Sequence, residues 1–265
     1  MRGWALPLAL LVVGACVTYS VARRQQTVTP IAPYKPAVVD PAALAKRLAS
    51  IQAGWPRSRN FDCSKLKCVA LTFDDGPGEY TGRLLDLLRD RGVRATFFVL
   101  GEMVAADKGG LLTRRIVEEG HEIGNHSWSH PPLAGLSREQ VQRQLGRTED
   151  LVEKLTGVRM RVMRPPYGST DAEVAAETRR EGLAQILWSV DTLDWRDRVP
   201  ALVIKRACAA KPGAIVLMHD IHPTTIKAVP AVLDTFAKKG YTFVTVSELY
   251  GKKAPPVPGR TYTER

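Results

Sequence analysis

Residues 69–77 read Val-Ala-Leu-Thr-Phe-Asp-Asp-Gly-Pro, an apolar run that ends in two carboxylates and a turn. A run without polar alternation predicts a strand that is buried on both faces. Similar runs follow at 95–100 (ATFFVL) and 214–218 (AIVLM). Strands of this kind are typical of a parallel sheet covered by helices on both sides.

Helical patterns separate the strands on either side of this stretch. We predict strands at 66–73, 95–100, 121–125, 161–164, 185–190, 214–218 and 241–246. The longest intervening helix follows a capping-box pattern, Ser137 with Gln140, and ends near Gly157. The order predicts an α/β fold with about seven βα units around a parallel sheet. A nearly closed barrel and a doubly wound open sheet are both consistent with this order of strands and helices. No GxGxxG or P-loop follows the first strand, which counts against a dinucleotide-binding open sheet.

Polar residues that carry chemistry follow the ends of five predicted strands. They are Asp74-Asp75, His126 with His130, Arg164 to Gly168, Asp191 to Trp195, and His219-Asp220. In a βα barrel all strands run the same way, so their carboxyl ends form one rim, where active sites lie. We therefore expect these five segments to form one site.

Two histidines four residues apart, His126 and His130, can bind one metal ion. The segment is not an HExxH helix, because Ser127 follows the first histidine and a proline follows the second. Two imidazoles and one carboxylate, with positions left open, are typical of a catalytic zinc or related divalent site. Asp74 and Asp75 point in different directions, so one can bind the metal while the other acts as a base. A solvated turn is the structural alternative for the two carboxylates.

Other rim residues suit the cleavage of an amide. His219 is a candidate proton donor for the departing nitrogen, because imidazole titrates in the useful range. Arg164 is expected to pair with a rim carboxylate and keep it ionised. Tyr167 and Trp195 are candidates for stacking against sugar rings, with core packing as the alternative for Trp195. The two remaining histidines are interpreted as structural or peripheral.

The first 22 residues read as a targeting segment, in which Arg2 precedes an apolar run at 4–17. Three interpretations stay open: a lipoprotein signal with lipid on Cys16, a signal peptide cleaved after 20–22 (SVA), or an uncleaved anchor that is short for a full span. All three export the remaining chain. We expect an extracellular or envelope-associated protein, with membrane attachment through the N-terminus only.

Beyond that segment, residues 23–60 read as a Pro-rich tether and 61–250 as the globular domain. Residues 251–265 form a basic, Pro-containing tail that we expect to be poorly ordered. The chain has 265 residues, of which 45% are hydrophobic, which suffices for one sizeable core. Its net charge of +11 favours anionic partners, but the basic residues are scattered, so we expect no nucleic-acid partner.

Four cysteines are present. Cys63 and Cys68 lie five residues apart, and in an oxidising compartment we expect them to close a small disulfide loop, with two reduced thiols as the alternative. Cys208 falls in a predicted helix as a free thiol. A zinc site built from cysteines is not expected.

From about residue 66 to residue 249 the chain resembles the polysaccharide deacetylase family, also called carbohydrate esterase family four or the NodB-homology domain. All five family motifs have counterparts in order. They are TFDDGP (72–77), HSWSH (126–130), RPPYG (164–168), DTLDW (191–195) and LMHD (217–220). The resemblance implies a distorted (β/α) barrel with fewer than eight regular units, which agrees with the units counted above, and makes 61–250 a catalytic domain.

The resemblance also implies a role for each motif residue. Asp74 would be the base, Arg164 would orient it, Tyr167 would hold the oxyanion through its backbone N–H, and His219 would be the acid, tuned by Asp194. The metal ligands would be Asp75, His126 and His130. The substrate-binding residues would be Tyr167, Trp195 and Leu217, of which Leu217 would line the pocket for the acetyl methyl group.

The implied activity is metal-dependent removal of N-acetyl groups from N-acetylglucosamine units of a polysaccharide, with release of acetate. One divalent metal is expected, zinc first and cobalt as the alternative. Peptidoglycan is the first substrate and chitin oligomers the second, and acetylated xylan is third because the same chemistry cleaves O-acetyl esters. The rivals are a non-catalytic protein that binds wall glycan and a hydrolase of small cyclic amides.

Overall fold

The structure is a computed structural model and describes residues 59–265. Within this range one sheet contains all the strands, and its strand pairs are parallel. The strands are β1 (Cys68–Asp74), β2 (Thr96–Val99), β3 (Glu122–Asn125), β4 (Val162–Met163), β5 (Ala184–Ile186), β6 (Val190–Asp191), β7 (Ile215–His219), β8 (Thr242–Val244) and β9 (Thr261–Tyr262).

Nine helices lie between the strands of the described residues. They are α1 (Thr81–Asp90), α2 (Gly101–Ala106), α3 (Leu111–Glu118), α4 (Arg138–Thr156), α5 (Ala172–Arg180), α6 (Asp194–Asp197), α7 (Pro200–Ala207), α8 (Pro223–Lys238) and α9 (Val246–Tyr250). The predicted capping box of α4 is confirmed: Ser137 Oγ accepts from the Gln140 N–H, and Gln140 Oε1 accepts from the Ser137 N–H. Gly157 ends the helix with φ 71°, as the sequence predicts.

The sheet curves into a barrel that is not fully closed by hydrogen bonds. Its strand order is β6-β7-β1-β2-β3-β4-β5-β9, and β8 also pairs with β1. β6 stands at one end of this path and β5 next to the other, yet only residues 187–189 join them. This short connection therefore keeps the two ends of the sheet close together. This distorted parallel barrel confirms the predicted fold class.

The inner face of β1 changes from apolar to polar along the strand. Cys68 and Ala70 of β1 belong to a buried apolar cluster with residues of β2, β4, β5, β7 and β8. Because side chains alternate between the two faces of a strand, Thr72 and Asp74 follow on the same inner face. Phe73 points outward and stacks on Phe97 of β2, with ring centroids 5.4 Å apart. The polar side chains of β1 thus lie toward its carboxyl end, and a separate buried polar pair, Thr96 with Glu122 (3.0 Å), lies at the start of β2 and β3.

Three predictions about the chain's course are wrong. The single strand expected at 185–190 is two short strands, because residues 187–189 cross between the two ends of the sheet. The strand expected at 241–246 ends at Val244, and Thr245 caps α9 in a second capping box with Glu248. The tail expected to be poorly ordered contains β9, which pairs with β5, and Leu187 donates its N–H to the Tyr262 carbonyl (2.7 Å).

Cys63 and Cys68 form the expected disulfide, with Cα atoms 5.5 Å apart, and Cys208 is a half-buried free thiol at the end of α7. The last residues assigned to the tether also pack on the domain, because Arg59 forms an ion pair with Glu248 (3.0 Å). None of the helices within 59–265 is long and apolar enough to span a membrane. The predicted targeting segment, Cys16 and the tether up to residue 58 lie outside the described residues.

Candidate metal centre and active site

Three side chains at the rim form a candidate metal centre. Asp75 Oδ1 lies 3.5 Å from His126 Nε2 and 3.4 Å from His130 Nε2. This carboxylate oxygen is buried and has no hydrogen-bond partner. Tetrahedral ligands with bonds of about 2.0–2.1 Å lie roughly 3.3–3.4 Å apart, which matches the observed spacing. The donor set and the orphaned oxygen therefore fit a divalent cation.

His126 is held in the tautomer that a metal ligand needs. Its Nδ1 lies 2.6 Å from the carbonyl oxygen of Arg164, and a carbonyl only accepts, so Nδ1 carries the proton. The lone pair is therefore on Nε2, which faces Asp75. Burial lowers the pKa of His126 to about 3, which keeps the imidazole neutral. Hydrogen bonding of the second ring nitrogen to a carbonyl is typical of histidine ligands.

The ligand loops have a strained backbone. Asp75, Ser127 and His130 have φ values of 73°, 71° and 62°, although none of them is glycine. Tyr167 and Leu193 on neighbouring rim loops share this left-handed conformation. Such conformations persist only where the surroundings fix them, and they cluster at functional sites. The strain is therefore concentrated at the rim.

Side chains of β3 and α4 fix the loop between the two histidines. Gln144 Oε1 accepts from the N–H groups of Trp128 (2.8 Å) and Ser129 (3.0 Å), and Gln144 Nε2 donates to Ser129 Oγ (3.0 Å). The Ser127 N–H donates to Asn125 Oδ1 (2.9 Å), and Ser127 Oγ accepts from the His130 N–H (3.1 Å). Every residue between His126 and His130 is thus tied to the barrel or to its neighbour.

Asp74 lies next to the candidate metal centre, in contact with a buried arginine. Arg164 Nη1 donates to Asp74 Oδ1 (2.8 Å) and to Thr72 Oγ1 (2.7 Å). The same guanidinium donates to the carbonyls of Ile186 (3.0 Å) and Leu187 (2.9 Å), the residues that begin the barrel closure. Burial raises the pKa of Asp74, and the Arg164 charge opposes the rise. The second oxygen, Oδ2, lies 3.7 Å from His126 Nε2.

On the opposite side of Asp74, His219 forms a dyad with Asp194. His219 Nδ1 donates to Asp194 Oδ1 (2.8 Å), and Asp194 Oδ2 accepts from the His219 N–H (2.8 Å) and from Thr225 Oγ1 (2.6 Å). Burial alone would lower the pKa of His219, but the hydrogen bond and charge of Asp194 outweigh it and raise that pKa to about 9. The imidazole is therefore protonated at neutral pH.

The predicted substrate-binding residues take different positions. Tyr167 is 70% exposed and its ring lies 4.6 Å from that of His130. Trp195 is 46% exposed, so the alternative of core packing is wrong. Leu217 is buried on β7, two residues before His219 and on the same inner face. The structure thus offers an aromatic rim above an apolar wall.

Several supporting residues were not identified from the sequence. They are Thr72, Asn125, Gln144 and Thr225. Thr72 stands within a quoted motif, so the motif gave a signal for it. Gln144 and Thr225 lie on α4 and α8, and their contacts depend on how those helices pack. No local sequence pattern marks them.

The fold and rim define a parallel (β/α)-barrel protein with a two-histidine, one-aspartate site. The chain belongs to the polysaccharide deacetylase family, whose family model, Polysaccharide deacetylase, matches residues 62–186. It is 48% identical over 189 residues to the peptidoglycan-N-acetylglucosamine deacetylase PgdA of Listeria monocytogenes. The match covers 71% of this chain and 40% of that protein, so the chain spans less than half of its relative's length.

Two solved structures extend the comparison. The structure described as a T48 deacetylase with substrate is 42% identical, with a TM-score of 0.72, and the match covers 76% of this chain and 99% of that one. A family 4 acetyl xylan esterase from Clostridium thermocellum, in complex with cobalt, is 33% identical with a TM-score of 0.69. That match covers 74% of this chain and 98% of the esterase.

Proposed function

We propose that this protein is an exported, metal-dependent deacetylase that hydrolyses N-acetyl groups on N-acetylglucosamine units of a wall polysaccharide. The observation that carries the proposal is the order of groups across the rim. The triad of Asp75, His126 and His130 adjoins Asp74, and the dyad of His219 with Asp194 lies on the other side of Asp74. The relatives that are named as deacetylases support the same chemistry.

Asp75, His126 and His130 would hold one divalent cation, with zinc expected and cobalt as the alternative. When bound, the cation polarises the acetamide carbonyl and lowers the pKa of the attacking water. Asp74 would take the proton from that water through its oxygen nearest the triad, Oδ2. Arg164 would fix Asp74 through Oδ1 and favour its ionised form.

Tyr167 would stabilise the oxyanion that forms at the acetamide carbonyl. Its backbone N–H has no hydrogen-bond partner among the described residues. The left-handed conformation of Tyr167 (φ 59°) orients this N–H differently from its neighbours. A preorganised donor of this kind stabilises developing charge without reorganisation.

His219 would donate its Nε2 proton to the departing nitrogen. Nδ1 is committed to Asp194, so Nε2 is the ring nitrogen left for the substrate. A pKa of about 9 keeps the proton on the imidazole until the C–N bond breaks. Leu217 would contact the acetyl methyl group, and Tyr167 with Trp195 would stack on sugar rings.

Peptidoglycan is the proposed substrate, ahead of chitin oligomers. The net charge of +11 suits an anionic wall, and the predicted export places the enzyme beside it. An O-acetyl xylan esterase is the second candidate, because an esterase shares the fold at 33% identity. A wall-glycan-binding protein without activity would need neither an ordered Asp74–Arg164 pair nor an Asp194–His219 dyad.

The test measures acetate release by the full-length protein from N-acetylglucosamine tetramers, purified peptidoglycan and acetylated xylan. Each substrate is assayed with zinc, with cobalt and after chelation. Release from the first two that stops on chelation and returns with metal supports the proposal. Release from xylan alone indicates the esterase, and binding without release on any substrate indicates the lectin-like alternative.

A further inference from the structure

An arginine with an unusual backbone conformation lies at the end of α6. Arg198 directly follows this helix, is exposed, and has φ 53° and ψ 31°. Its Nε donates to the Trp195 carbonyl (2.9 Å). The left-handed backbone and this hydrogen bond together hold the guanidinium against the main chain of Trp195.

The neighbouring arginines are neutralised, but Arg198 is not. Asp197 accepts from Arg196 Nε (2.8 Å) and forms an ion pair with Arg206 (2.6 Å). Arg198 has no carboxylate partner within residues 59–265. Its two Nη groups therefore remain available to a ligand.

Arg198 lies on the His219 side of the site, because its Nε donates to the carbonyl of Trp195 (2.9 Å), the residue after Asp194, and Asp194 binds His219 (2.8 Å). Its charge, after burial, contributes to lowering the pKa of His222. The His222 ring lies 5.7 Å from that of His219, the proposed proton donor. The available cation is therefore near the position where the leaving amine of the sugar would lie.

We infer that Arg198 binds a carboxylate carried by the glycan next to the sugar that is deacetylated. The inference rests on the proposed function and specifies its substrate class. A planar guanidinium with free Nη groups matches a carboxylate in a forked arrangement. Chitin and xylan backbones lack this charge. Peptidoglycan carries it either on the lactyl group of muramic acid or on the stem peptide, so Arg198 would distinguish wall glycan from neutral glycans.

The test compares Arg198→Gln with Arg196→Gln, a control at an arginine of α6 whose charge is already paired. Four substrates are used: a neutral N-acetylglucosamine tetramer, a wall tetrasaccharide with free lactyl carboxylates, its methyl ester, and the same glycan with stem peptides. We expect Arg198→Gln to lower kcat/KM on a carboxylate-bearing glycan by about tenfold, the order of a charge-assisted hydrogen bond. The neutral tetramer, the ester and the control variant should show no change.

A loss confined to the free lactyl glycan or to the peptide-bearing glycan identifies the source of the carboxylate. An equal loss on the neutral tetramer would mean that Arg198 only supports Trp195, and no loss on either anionic glycan would also overturn the inference. Arg198→Lys keeps the positive charge but cannot form two parallel hydrogen bonds to a carboxylate. This variant should retain part of the preference for carboxylate-bearing glycans. Affinities measured in an Asp74→Asn background test the same contact without turnover, so a failure of the proposed activity is distinguishable from a failure of this inference.

Discussion

Asp74 and His219 occupy opposing register positions on the neighbouring parallel strands β1 and β7. Residues in register on parallel strands point to the same face, so both side chains enter the barrel mouth from adjacent positions. His219 also lowers the pKa of Asp74 through its charge, against the effect of burial. The proposed base and acid are thus positioned by backbone hydrogen bonds of the sheet rather than by flexible loops.

The division of labour between the two rim aspartates can be tested directly. Asp74→Asn should lower kcat by roughly 10²–10⁴-fold, because the proposed base is lost, while metal affinity persists. Asp75→Asn should instead weaken metal binding, since it replaces the carboxylate that faces both histidines by a neutral amide. Acetate release and metal content after dialysis measure the two effects. Loss of metal from the Asp74 variant only would mean that Asp74 binds the metal and Asp75 acts as the base.

Removal of the Asp194 carboxylate should shift the pH dependence of activity. The proposed acid can donate only while His219 is protonated, so activity should fall as the pH rises through the raised His219 pKa of about 9. Asp194→Asn removes the group that raises this pKa, so the alkaline limb should move to lower pH and kcat should fall. Asp150→Asn, at an exposed position of α4, is the control, and an unmoved limb in the Asp194 variant would contradict the role of the dyad.

The protonation of His219 also affects the stability of the fold. The folded-state pKa of His219 lies above its ordinary value, so its contribution to stability is fully present below about pH 6.5 and is lost as the pH rises through about 9.

Arg164 should be a stability residue as well as a positioning residue. Its removal leaves Asp74 buried without its partner and two carbonyls of the barrel closure without a donor. We expect Arg164→Leu to cost about 3–5 kcal/mol, the range for breaking a buried ion pair. Urea unfolding measures the loss. Arg161→Leu, three residues earlier and exposed, should have little effect.

Gln144 should control metal affinity without touching the metal. Its amide holds Trp128 and Ser129, which lie between the two proposed histidine ligands. We expect Gln144→Leu to weaken metal binding by about 10–100-fold, the usual range for groups that orient ligands. Competition with a chromogenic chelator measures the affinity. The exposed Gln142 on the same helix provides the control variant, and equal affinities for both variants would rule out the positioning role.

The sequence predicted seven strand regions, their shared direction and the rim residues, because these depend on short-range patterns. The apolar run of β1 followed by Asp74 and Asp75 specifies both a buried strand and the place where it ends. The contacts of Gln144 and Thr225 could not be predicted, because they depend on how α4 and α8 pack on the barrel. The break at residues 187–189 was missed for the same reason, since it depends on where the sheet ends meet.

The C-terminal segment illustrates this limit and leads to a further prediction. Composition suggested disorder, yet β9 covers the edge of β5, the strand whose last carbonyl, that of Ile186, binds Arg164. A chain ending at residue 259 should therefore lose both stability and activity, because β5 and the barrel closure lose their outer support. A chain ending at residue 263 keeps β9 and serves as the control. Thermal unfolding and acetate release would be measured for both, and a wild-type melting temperature in the shorter chain would show that β9 is dispensable.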